Sequence, residues 1–168
     1  IAAKIKDNTK LVVMNHGSNV IGTIQPVAEI GRICREKGVL FAIDAAQTAG
    51  LVPIDVEEMN IDVVCFTGHK SLMCPPGTGG MYMDEHVDVW PSRSGGTGVR
   101  SALKTHVGDY PWRFEFGTLN LLGIAGLYYA QDWIADRGGV EKIYAHEMAL
   151  ANRLRDGMSA IDGVVLYC

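Results

Sequence analysis

The chain lacks the paired cysteines that build zinc sites or redox couples. Cys34, Cys65, Cys74 and Cys168 are widely spaced, with no CxxC pair, so free thiols are expected. Long apolar runs are missing too: the stretches 39–42 and 63–66 fall far short of a membrane span. The first ten residues carry Lys4, Lys6 and Lys10 but no apolar signal-peptide core. Nor is there a dominant charge. A net charge of −4, from 15 basic and 19 acidic residues interspersed along the chain, leaves no basic run to neutralise a phosphate backbone or an anionic membrane. Nucleic acid and membrane are excluded as partners on this reading, and a cytoplasmic location is expected. No internal repeat or low-complexity tract is visible.

What is present suits a globular α/β domain. Hydrophobic residues make up 48% of 168 positions, enough for one substantial core. Residues 10–15 read as a short buried strand and are followed by a loop rich in Gly, Ser and Asn. Pro26 opens a helix whose apolar positions are Val27, Ile30, Ile33 and Cys34, and Lys37-Gly38 ends it. Residues 39–43 and 61–66 read as two further buried strands, joined by the connector 52–59. Strands and helix at these short spacings predict a mainly parallel sheet. After the turn cluster 75–80, residues 80–83 form one more strand. Residues 88–113 lack periodicity and read as a long surface loop. Two helices are predicted over 119–135, with Gly123 and Gly126 allowing close approach, and over 140–161. Ile1 sits in what reads as a helix already under way, and the sequence stops inside the apolar run 164–167. The chain is therefore expected to be a segment of a longer protein.

Three consecutive strand ends carry polar clusters: 15–19 (Asn-His-Gly-Ser-Asn), 44–47 (Asp-Ala-Ala-Gln) and 67–70 (Thr-Gly-His-Lys). In a parallel sheet these converge on one edge, where open α/β sheets hold their ligands. Singly, Asp44 reads as a helix cap and Lys70 as a solvated surface charge. Together they read otherwise. A lysine just past a strand can serve as an amine nucleophile toward a carbonyl, and a carboxylate one strand away can hold a protonated ring nitrogen. His16 and His106 read as surface or packing residues, and the methionines as core filler.

The blocks 18–22 (SNVIG), 44–47 (DAAQ), 50–55 (GLVPID), 67–70 (TGHK), 76–80 (PGTGG) and 113–120 (RFEFGTLN) resemble, in order, the signature blocks of class V aminotransferases, most closely the cysteine desulfurase and selenocysteine lyase branch. The resemblance spans nearly the whole chain. It implies an incomplete three-layer α/β sandwich with a mainly parallel sheet, in which residues 1–135, including the loop 88–113, belong to the large domain that binds pyridoxal 5′-phosphate (PLP). Residues 136–168 would be a linker helix and the start of a small carboxyl-terminal domain.

Carried over residue by residue, the resemblance implies that Lys70 forms a Schiff base with PLP and shuttles a proton once the substrate amine displaces it. Asp44 would pair with the pyridinium nitrogen, Gln47 and Asn19 would lie near the phenolic oxygen, and Thr67 and His69 would bind the phosphate. The loop 94–98 is either a flexible surface loop or, as the family has it, a stretch reaching the neighbouring subunit, with Thr97 a ligand to its phosphate. Arg113 matches a substrate-carboxylate arginine or a structural neighbour of it, while Glu115 and Asn120 read as turn-fixing residues.

The activity implied is removal of sulfur or selenium from cysteine or selenocysteine to give alanine, in a homodimer with a sulfur-acceptor protein. The alternatives are transamination of a small amino acid, kynureninase-type cleavage, or an inactive PLP-fold module. The family's cofactor-stacking histidine and its loop with the catalytic cysteine match nothing in these residues. Cys74 lies in the wrong block to be that nucleophile. The isolated chain is expected to turn over no substrate and to need partners for its uncovered faces.

Overall fold

A computed structural model describes residues 1–96 and 98–167 of the chain. A short 3-10 turn at Ala2–Lys4 precedes strand β1, Leu11–Asn15. Helix α1, Val27–Lys37, leads into β2, Leu40–Asp44, and then come β3, Val63–Thr67, and β4, Gly79–Met83. Helices α2, Leu121–Asp136, and α3, Gly139–Ser159, follow the long loop. The sheet order is β1-β2-β3-β4; the first three strands are parallel and β4 runs antiparallel to β3. The expected mainly parallel α/β sheet is thus present. Between β2 and β3 the crossover consists of turns, not a helix.

The register sorts the side chains onto two faces, since side chains at paired positions of neighbouring strands point the same way. On one face Val12, Met14, Phe41, Ile43 and Val64 pack with Val27, Ile30 and Cys34 of α1 into the core. Val27, Ile30, Gly31 and Cys34 follow the helical period, which is why this stripe of α1 is buried. Gly38, in the left-handed region at φ 64°, ends α1 and donates its N–H to Arg35 and Cys34 carbonyls. The other face carries Leu11, Val13, Asn15, Asp44, Cys65, Thr67 and Met81, and Leu11, Val13 and Met81 remain exposed.

Helix α2 is fixed at its start by Asn120, whose Oδ1 accepts the Gly123 N–H at 3.0 Å while its Nδ2 donates to the Gly77 carbonyl at 3.1 Å. Side chains at Gly123 or Gly126 would strike Thr78 and Pro75, so these glycines let α2 lie directly on the 74–78 turn. Asn120 thus fixes the turn at the start of α2, and the two glycines admit a close approach to a turn, where the sequence suggests approach to a helix. Gly138, at φ 92°, separates α2 from α3. Among the described residues no helix is long and apolar enough to cross a membrane.

Candidate active site

The carboxyl ends of β1, β2 and β3 stand side by side. Asn15 is the register partner of Asp44, and Asp44 that of Cys65, so three strands about 4.8 Å apart present these residues on one face. Thr67 follows on the same face, and the chain then turns through Gly68, His69 and Lys70. All three sequence clusters thus meet at one sheet edge.

Each cluster is shaped by local bonds. After β1, Ser18 Oγ accepts the N–H groups of Val20 and Ile21 at 3.2 and 3.3 Å, and the Ser18 N–H donates to the Thr23 carbonyl. These bonds hold Asn19 exposed at the tip of a tight turn. After β2, Asp44 Oδ1 accepts the Ala46 N–H at 2.9 Å, which fixes the carboxylate at the strand end and leaves Oδ2 free among the described residues. Gln47 follows, half-buried and with no side-chain hydrogen bond among the described residues.

After β3, Thr67 Oγ1 lies 2.8 Å from His69 Nδ1. The turn itself is set on the next strand: the Gly68 N–H donates to the Thr78 carbonyl at 2.9 Å, and the Cys74 N–H to the Gly68 carbonyl at 2.9 Å. Lys70 is exposed, and its ammonium has no hydrogen-bond or ion-pair partner among the described residues.

Two thiols lie near this edge, Cys65 exposed and Cys74 buried. Burial, and secondarily the charge of Asp44, push the Cys65 thiol above the ordinary range. Cys74 is buried, with Sγ 2.9 Å from Thr78 Oγ1 and 3.4 Å from the Gly123 carbonyl. It is a packing residue of the α2 contact.

Arg113 lies elsewhere. It lines a cavity with Met83, Asp84, Glu85, Val87 and Tyr110, at the end of β4 opposite Gly79, which pairs with Thr67. Its guanidinium lies over the Phe114 ring and 3.8 Å from Asp88, and its buried Nε lacks a hydrogen-bond partner among the described residues. Thr97 lies outside the described residues.

Two features went unread in the sequence. His16 is buried against Thr48, and no local pattern signals that pairing. Asp62 is also buried, and a carboxylate inside the apolar run 61–64 was the available sign that it has partners.

An open sheet with its polar groups gathered at the carboxyl edge of parallel strands defines a ligand-binding domain of the α/β class. The family model for class-V aminotransferases matches residues 1–168, and the chain belongs to that family. A probable cysteine desulfurase of Methanothermobacter thermautotrophicus is 37% identical over 97% of the chain and 42% of its own length. Among solved structures, the apo cysteine desulfurase of Thermococcus onnurineus superposes with a TM-score of 0.77 at 32% identity, over 89% of this chain and 38% of that one. SspA in complex with cysteine matches with a TM-score of 0.65 at 30% identity, over 77% and 34%. The chain spans about two fifths of the length of the curated relatives it matches.

Proposed function

We propose that residues 1–135 are the cofactor-binding core of a PLP-dependent, cysteine desulfurase-like enzyme that takes sulfur or selenium from cysteine or selenocysteine and leaves alanine. Residues 136–168 lead from it toward a second, smaller domain. The observation that carries the reading is the single edge holding a carboxylate, two side-chain amides, a hydroxyl–imidazole pair and an unengaged lysine. That donor set fits PLP. Asp44 would face the ring nitrogen, Lys70 would hold the aldehyde carbon, Thr67 and His69 would take the phosphate, and Asn19 and Gln47 would flank the phenolic oxygen.

Bound there, PLP supplies an electron sink for the substrate's α-carbon. The chain's own residues do the rest. Asp44, anchored by the Ala46 N–H, would hold the ring nitrogen with its other oxygen, and Lys70, with no competing partner among the described residues, would move a proton at the α-carbon. Desulfurase-named relatives, and a similar structure that holds cysteine, support cysteine as the substrate class. A homodimer in which Thr97 reaches the neighbouring phosphate, a sulfur-acceptor protein and a cytoplasmic setting complete the proposal. Arg113 serves the substrate carboxylate only if the long loop is rearranged from the position described above.

Transamination of a small amino acid is the second reading, favoured by the family's own chemistry. Turnover of cysteine by the full-length protein with an added dithiol, which supplies the two electrons that release the transferred sulfur as sulfide, separates the two: alanine and sulfide in equal amounts support desulfuration, and a keto acid with retained sulfur contradicts it.

A further inference from the structure

Next to the edge that presents Asn19 and Gln47 lies a buried polar pair. His16 is 2% exposed and Thr48 3%, and His16 Nδ1 is 2.9 Å from Thr48 Oγ1. The bond joins two loops far apart in sequence. Asn19 stands at the tip of the turn that His16 opens, and Gln47 directly precedes Thr48. Around the pair the two loops are seated on one another. The His16 N–H donates to the Asp44 carbonyl at 2.9 Å and the Gln25 N–H to the His16 carbonyl at 2.8 Å. On the other side the Thr48 N–H donates to the Ala45 carbonyl at 2.9 Å. A methyl group at Gly17 would come within 2.7 Å of Thr48 Cγ2 and 3.6 Å of Gln47 Cβ, so only glycine admits this approach.

A buried hydroxyl and imidazole are costly unless they satisfy each other, and two apolar side chains would fill the same space without that cost. What the polar pair adds is direction: a hydrogen bond fixes both distance and angle, where an apolar contact can slide. Burial holds the His16 imidazole below its ordinary range, so it meets the hydroxyl as a neutral ring.

We propose that His16 and Thr48 are positioning residues whose buried hydrogen bond sets the separation of Asn19 and Gln47, and thereby the fit of both amides to the phenolic oxygen of the cofactor. The inference rests on the edge being the PLP site.

The test uses the full-length protein titrated with PLP, following cofactor affinity and the pH midpoint of its visible absorbance band. Thr48→Val keeps the shape and removes the hydroxyl; it is expected to weaken cofactor binding about tenfold. It should also move the band's midpoint upward, because donors to the phenolic oxygen lower the proton affinity beside it. Thr48→Ser restores both values. Ile30→Val, in the core on the other side of the sheet, loses some stability but leaves the midpoint alone. Thr48→Ala runs in parallel with the same expectation as Thr48→Val.

An unchanged midpoint in whichever of the two variants folds overturns the inference, as does an equal shift in Ile30→Val. Failure of both to fold beside a folded Thr48→Ser also overturns it, making the bond structural only. A Lys70→Ala protein that keeps the visible band overturns instead the reading beneath.

Discussion

The two ends of the sheet differ in how their polar side chains are engaged. At the amino end, Asp62 is buried. Its Oδ2 accepts the Phe41 N–H at 2.7 Å, and its Oδ1 lies 3.1 Å from His86 Nε2 and 3.8 Å from Arg35. The other nitrogen of His86 meets Asp84 at 2.6 Å, and hydrogen bonds from His86, backbone first, hold the Asp84 carboxyl below its usual range. Each of these groups is engaged by another. At the carboxyl end Lys70, Gln47 and Asn19 have no such partners among the described residues. Groups that satisfy each other hold a fold together; groups left free are available to a ligand.

Substitutions at the two ends should therefore separate binding and turnover from stability. The largest effect is expected from Asp44→Asn. Asparagine can still accept the Ala46 N–H, so urea denaturation should show stability close to wild type, while cysteine turnover by the full-length protein falls by about a hundredfold or more. A modest loss of turnover would break the contrast from the carboxyl side.

Asp62→Ala should do the reverse. It strands the buried Phe41 N–H and is expected to cost about 2–3 kcal/mol in urea unfolding, with cofactor affinity unchanged. Arg35 and His86 are about half exposed, so water can solvate them and the loss stays below that of a fully buried pair.

A smaller effect concerns pH. The His16 pKa is lowered in the folded chain by burial, so below about pH 6.5 the unfolded chain takes up the proton first. Stability from this site is full above that value and falls as pH falls. His16→Asn, which keeps a polar atom near Nδ1, should flatten that part of the dependence in urea midpoints compared at pH 7.5 and 5.5. The smallest effect is at Cys65. Its thiol should alkylate slowly at neutral pH, and Asp44→Asn should speed the reaction only modestly, because burial outranks the Asp44 charge as the cause of the raised pKa.

The free end was legible in the sequence and the satisfied end was not, for a physical reason. Strand runs such as 39–43 and turn residues such as Gly38 act locally, so the parallel order of β1 to β3 and the convergence of Asp44 and Lys70 follow from short-range pattern. The connector 52–59 was read as such and is built of turns, whereas the antiparallel direction of β4 depends on packing that no period records. Asp62 with His86, and His16 with Thr48, pair across 24 and 32 positions, and nothing near either residue announces its partner. The long loop is the same case: Arg113 aligns with an active-site block yet sits at the far end of β4, by Met83 and Asp84.

We propose that Lys70, which has no partner among the described residues, holds the cofactor. Borohydride reduction of the PLP-loaded full-length protein, followed by peptide mass spectrometry, tests it directly. The account predicts a single reduced pyridoxyl adduct on the peptide containing Lys70, absent in Lys70→Ala. An adduct on another lysine, or none in a protein that holds the cofactor, would contradict it.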